Sequence, residues 1–126
     1  MNLNEYQERA LETAVYAENK NIDRLTYTVL ALGGEVGELQ NKLKKYLRSG
    51  ERPSRDVLSD ELGDVIWYCA AIAKELMLPL EAVAVQNLEK LARRRAKNEI
   101  KDRPAEGLDQ TPDRPSFPDG PYRYQD

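Results

Sequence analysis

Two pairs of carboxylates are the residues of this sequence best placed to do chemistry. One pair lies in Gly34-Glu35-Val36-Gly37-Glu38-Leu39 and the other in Asp60-Glu61-Leu62-Gly63-Asp64-Val65. Glu35 and Glu38, like Glu61 and Asp64, are spaced so that both side chains share one helix face, a turn apart. Each pair sits beside the apolar seam of its segment. If the two segments pack antiparallel, the four carboxylates converge near the interior. Such charges repel strongly at low dielectric. Bound divalent cations or protonation relieve the repulsion. Either pair alone is common on a solvated helix face. Two pairs on neighbouring helices, each enclosing a glycine, point further. Gly37 and Gly63 cost ~1 kcal/mol against alanine in a helix interior. A glycine there has a packing or an access reason. Inside a carboxylate pair it leaves room for metal, water and phosphate.

The chain has no histidine. That excludes a histidine general base, a histidine-based triad and the usual zinc sites. It also argues against a di-iron centre built on Glu-x-x-His. A catalytic metal must then be held by oxygen, which points to Mg²⁺, or Mn²⁺ in its place.

Basic groups supply a second half. Lys42 and Lys45 continue the face begun by Glu35 and Glu38. Further on, Asn87, Lys90 and Arg94 recur at helical spacing, with Val83 on the same stripe. An acidic, metal-binding end running into a basic stripe suits a polyphosphate, bridged by metal and neutralised by lysine. Ordinary helix ion pairs, such as Glu38 with Lys42, are the competing use of these charges. Trp67, near Asp64, can stack on a base or fill an interface. Tyr6, Gln7 and Asn19 are other candidates for a base pocket.

Four helices must position these groups. The first is expected over Leu3 to Glu18, capped by Asn2 or Asn4. Asp23 caps a second, reaching Arg48, whose Leu25, Val29, Leu32, Val36, Leu39, Leu43 and Tyr46 form a seam suited to a bundle. Ser49, Gly50 and Pro53 break the chain. A third helix runs from Ser54 or Arg55 to Met77, with Leu58, Leu62, Val65, Cys69, Ile72 and Leu76 inward. After Pro79 a fourth runs from Leu80 to Asn98, with Leu80, Ala84, Leu88 and Leu91 inward. There is no convincing strand signal. Beyond Asp102, prolines recur and aliphatic residues thin out, so residues 103–126 read as a flexible or docked tail, with Phe117, Tyr122 and Tyr124 as possible anchors. Residues 1–102 form the domain.

The chain has 126 residues and a net charge of −3. One small domain follows, with no general attraction to nucleic acid or acidic membranes. A single cysteine, no secretory pattern in MNLNEYQERA and no membrane-length apolar run point to the cytoplasm. Narrow seams enclose little core in so short a chain, and self-association is the common remedy. Leu30, Leu47, Ile66 and Trp67 fall outside the main stripes and mark an interface. A homodimer or homotetramer is expected, with Trp67 near a subunit boundary.

The pattern Gly34-Glu35-Val36-Gly37-Glu38-Leu39, then Glu61-Leu62-Gly63-Asp64-Val65-Ile66-Trp67-Tyr68, then Asn87-Leu88-Glu89-Lys90-Leu91 resembles the MazG-like pyrophosphohydrolases. These belong with the all-α NTP pyrophosphatases, alongside dimeric dUTPases and phosphoribosyl-ATP pyrophosphatases. The resemblance covers roughly residues 3 to 100, and the spacer from Glu38 to Glu61 has the expected length. The family motif opens on two adjacent glutamates, and Gly34 stands at the first; compact phage-like members are similar in this respect. The resemblance implies an all-α, four-helix-bundle-like, oligomeric fold. It implies that Glu35, Glu38, Glu61 and Asp64 bind Mg²⁺, while Asn87 and Lys90 meet the phosphates.

The reading is therefore a metal-dependent nucleoside triphosphate pyrophosphohydrolase, giving a monophosphate and diphosphate, with a purine deoxynucleotide such as dGTP as the leading substrate. Glu35 or Glu38 is the general base, Lys90 and Lys45 meet the leaving group, and Trp67 is a candidate base contact. The rivals are a phosphoribosyl-ATP pyrophosphohydrolase and a non-catalytic helical oligomerisation module.

Overall fold

The computed structural model describes residues 1–99. They form α1 (Leu3–Leu11), a short 3₁₀ helix (Val15–Glu18), α2 (Arg24–Ser49), α3 (Arg55–Glu75) and α4 (Leu80–Ala96), with no strand among the described residues. The proline-rich tail expected at 103–126 lies outside them. The chain divides within α4 into two units, one ending at Lys90 and one beginning at Leu91.

The helix starts follow local chemistry. Asn2 caps α1 in a reciprocal capping box with Glu5. The Asp23 carboxylate caps α2, accepting from the Thr26 amide and hydroxyl. Ser54 caps α3 through the Val57 amide. α2 ends on Gly50, whose φ of 75° is the left-handed conformation that favours glycine.

The first helix stops about two turns earlier than its apolar pattern predicts. Its last carbonyls are diverted: the Thr13 hydroxyl donates to Ala10 O at 2.7 Å, and the Trp67 indole N–H reaches the same oxygen at 3.0 Å. The chain then turns through Thr13 into the 3₁₀ helix. α3 stops at Glu75, and Met77 takes a left-handed φ of 57° with its side chain 90% exposed.

α3 makes the central contacts, against α2 and against α1. Lys42, late in α2, meets Glu61, early in α3, while Tyr27, early in α2, lies by Tyr68, late in α3. The two helices are therefore antiparallel. The buried face of α3 is not the expected stripe of large residues. Ala70, Ala71 and Ala73 are buried, while Leu62, Cys69 and Leu76 are exposed. Small side chains there let α1 approach closely, and the Gln7 side chain donates to Ala70 O at 3.2 Å. Tyr16 and Thr28 complete the core.

α4 has no buried residue, and Leu88 and Leu91, expected inward, are exposed. Its N-terminus is held from α1, where Gln7 Oε1 accepts from the Leu80 amide and Asn4 Oδ1 from the Glu81 amide, at 3.0 and 3.1 Å. Asn4, a candidate cap for its own helix, instead caps α4.

Candidate metal and substrate site

The antiparallel α2–α3 pair sets Glu35 and Glu38 opposite Glu61. Each offers a carboxylate oxygen, and these oxygens lie within 4.8 Å of one another. The donor set is wholly carboxylate oxygen, which fits a hard divalent cation. Asp64, the fourth predicted ligand, contributes no oxygen to this group, yet its charge acts on Glu35. Partial burial first, then the negative charges of Asp64, Glu38 and Glu61, push the Glu35 carboxyl above its ordinary range. A cation among these groups would reverse that repulsion.

One ammonium already faces the cluster. Lys42 Nζ lies 3.2 Å from Glu61 Oε1, and the Glu61 side chain is only 12% exposed. Sequence spacing pairs Lys42 with Glu38 along one helix; the structure pairs it across helices. The glycines inside the carboxylate pairs serve no packing need in this chain. A Cβ built on Gly37 or Gly63 would meet no atom within 4 Å. The space beside the carboxylates is open.

Aromatic hydroxyls border the cluster on one side. Tyr68 is raised above the usual tyrosine range by burial, then by its neighbour Tyr27 and the charge of Glu35. Tyr6 is raised by burial and by Asp64. Trp67, beside Tyr68, points its indole N–H into the α1 end, donating to Ala10 O and to Thr13 Oγ1 at 3.0 Å each. Its ring meets Tyr68 and Tyr16 edge-on, at 4.9 and 6.1 Å between centroids. Gln7, a candidate for the base pocket, is committed to three backbone groups, Ala70 O, Leu78 O and Leu80 N, and holds helices together instead.

On the other side lies a cavity of about 610 Å³ at the end of α2, lined by Lys42, Lys45, Arg48 and Arg52 among others. Lys45 was legible as part of a basic stripe. Arg48 continues that stripe one turn on, and Arg52 lies beyond the helix end. Asn87 and Lys90 are exposed on α4, with no bond to the carboxylates among the described residues. A larger cavity of about 770 Å³, between α1 and the turn after α3, is lined by Gln7 but by none of the clustered carboxylates, nor by Asn87 or Lys90.

Comparison with known proteins covers this site. The family model described as the MazG nucleotide pyrophosphohydrolase domain matches residues 24–98, from the first turn of α2 to just beyond α4. A curated relative, "Gene 37 protein" of Mycobacterium phage L5, is 39% identical over 107 residues, spanning 79% of this chain and 94% of the relative. No solved structure matches.

Proposed function

The chain belongs to the MazG nucleotide pyrophosphohydrolase family, and from that premise we propose that it hydrolyses nucleoside triphosphates to monophosphates and diphosphate. The observation that carries the reading is the convergence of Glu35, Glu38 and Glu61 across α2 and α3, with open space beside them. Mg²⁺ is the proposed cofactor, with Mn²⁺ able to replace it, held by these three residues with Asp64 as a fourth ligand. When bound, such an ion supplies positive charge to phosphoryl oxygens and acidifies water. Glu35 or Glu38 takes the proton of the attacking water. Lys45, and Asn87 and Lys90 from α4, neutralise the departing diphosphate. Tyr68 and Tyr6 border the base, with Trp67 behind them. The leading substrate is a purine deoxynucleoside triphosphate, dGTP first.

The protein is proposed to work as a homodimer or homotetramer in the cytoplasm, without nucleic acid or membrane. Leu30, Leu47 and Leu88 are 72%, 80% and 65% exposed in the single chain. Closed two-fold assembly is the commonest cover for such a surface. No helix among the described residues is long and apolar enough to cross a membrane. Light scattering at micromolar concentration is expected to give a dimeric or larger mass, and a monomer would refute the assembly.

The deciding experiment is a panel of nucleoside triphosphates and phosphoribosyl-ATP, with Mg²⁺ or Mn²⁺ and diphosphate detection. Release from deoxynucleotides supports the proposal. Release from phosphoribosyl-ATP alone favours that rival. No release, together with a melting temperature indifferent to Mn²⁺, leaves a non-catalytic module.

A further inference from the structure

We propose that Lys42 is an internal stand-in for the metal. Its ammonium neutralises Glu61 until a divalent cation arrives, and it must leave that carboxylate for the cation to bind. The inference rests on the pyrophosphohydrolase reading and adds to it a device that sets how tightly the site takes its metal.

Glu61 needs a counter-charge. Its side chain is 12% exposed, and one of its oxygens lies within 4.8 Å of oxygens of Glu35 and Glu38. A carboxylate withdrawn from water beside two others is costly unless a cation accompanies it. Lys42 supplies one at 3.2 Å, from across the α2–α3 groove. A local partner was at hand, because Glu38 stands four residues earlier on the same helix, where such pairs form readily. Glu38 is exposed, and a pair in water is worth little. The ammonium goes to the less exposed of the two carboxylates.

The same Glu61 belongs to the set that fits a hard cation. An ammonium has no lone pair to offer a metal, and two cations on one carboxylate repel. Ammonium and metal are therefore alternative partners of Glu61. The structure gives the lysine somewhere to go. Its side chain is 39% exposed on a flexible four-carbon stem, and it lines the cavity at the end of α2, where Glu51 offers a second carboxylate. Release needs a change of rotamer and no movement of the backbone. Linkage then fixes two opposite effects. An interaction that stabilises the protein without metal, and is given up when metal binds, lowers metal affinity to the same extent. Lys42 holds the acidic groove together before binding and weakens the binding itself.

The test titrates Mn²⁺ into full-length protein without nucleotide, following the free ion by its electron paramagnetic resonance signal. Lys42→Met keeps the stem and loses the charge. Lys42→Arg keeps the charge. Lys44→Met removes the same charge from an exposed position on the same helix. Lys42→Met is expected to bind Mn²⁺ about tenfold more tightly than the parent. Lys44→Met should stay within about twofold of the parent, and Lys42→Arg at or below it. In EDTA, Lys42→Met should melt below the parent, and saturating Mn²⁺ should close that gap. An Mn²⁺ affinity in Lys42→Met equal to or below the parent's overturns the proposal, as does equal tightening in Lys44→Met. If Lys42→Met does not fold, Lys42→Gln decides by the same criterion. Turnover in the parent with unchanged Mn²⁺ affinity in Lys42→Met would defeat this inference and leave the hydrolase reading standing. Tighter Mn²⁺ binding in Lys42→Met with no turnover in the parent would do the reverse. No Mn²⁺ binding by the parent and Lys42→Met alike would overturn both.

Discussion

The two faces of α3 follow opposite rules. Toward α1, the buried polar side chains have partners among the described residues. Gln7 spans Ala70, Leu78 and Leu80, Trp67 bonds Ala10 and Thr13, and the Tyr16 hydroxyl donates to Glu75 Oε1 at 2.9 Å. Burial, and then that bond, push Tyr16 up to about 12, so it stays neutral at any ordinary pH. Toward α2, three carboxylates crowd one another, with the Lys42 ammonium against one of them, and glycines leave the space beside them empty. A satisfied polar contact stabilises a fold; uncompensated like charge weakens it. The contrast separates the part of α3 that holds the molecule together from the part where like charges gather.

The largest expected break in that contrast comes from the acidic side. Glu38→Gln and Glu61→Gln should each lower turnover by about 10²-fold or more, while circular dichroism and melting temperature stay near the parent. Near-parent turnover in both would remove the site assignment. The converse holds across the helix. Gln7→Leu removes the bonds to two carbonyls and leaves the Leu80 amide without its acceptor, at a cost of about 2–3 kcal/mol. The melting temperature should drop by about 10 °C or more, read by calorimetry. An unshifted melt would show that the α1 clamp is not structural.

Smaller changes sharpen the same line. Gly37→Ala adds a methyl that meets nothing. It should stabilise α2 by up to about 1 kcal/mol yet slow turnover, because substrate or its metal needs the space. A stabilised variant with full activity would mean that the gap is idle. The least effect is electrostatic. The folded pKa of Glu35 lies above its unfolded value, so between the two the folded state holds the extra proton. Stability of the metal-free protein then falls as pH rises through that window, and the penalty persists above it. Glu35→Gln should melt slightly higher than the parent at neutral pH in EDTA, with the difference closing as pH falls below the unfolded pKa. A constant difference across pH would place its cause elsewhere than in ionisation.

Much of this architecture was legible in the residues. Asn2, Asp23 and Ser54 announce helix starts because a short polar side chain satisfies the free amides of the first turn, wherever the helix later packs. Gly50 announces an end because a left-handed residue is required there. The carboxylate pairs announce a shared face because the helical repeat fixes it. Family membership followed from the same spacings, over the span that the MazG family model matches.

What the sequence left open were relations between segments. The early stop of α1 depends on an indole carried more than fifty residues away, and Asn4 caps a helix that no local signal connects to it. The buried face of α3 is set by alanines that admit α1, where hydrophobicity alone favours the larger Leu62 and Leu76. Lys42 has a carboxylate four residues away by sequence and takes another across the groove. Caps, turns and faces are short-range consequences of backbone geometry, so the sequence by itself determined them. Which oxygen meets which cation, and which side of a helix is covered, depends on how long segments approach one another, and only the tertiary structure decided that.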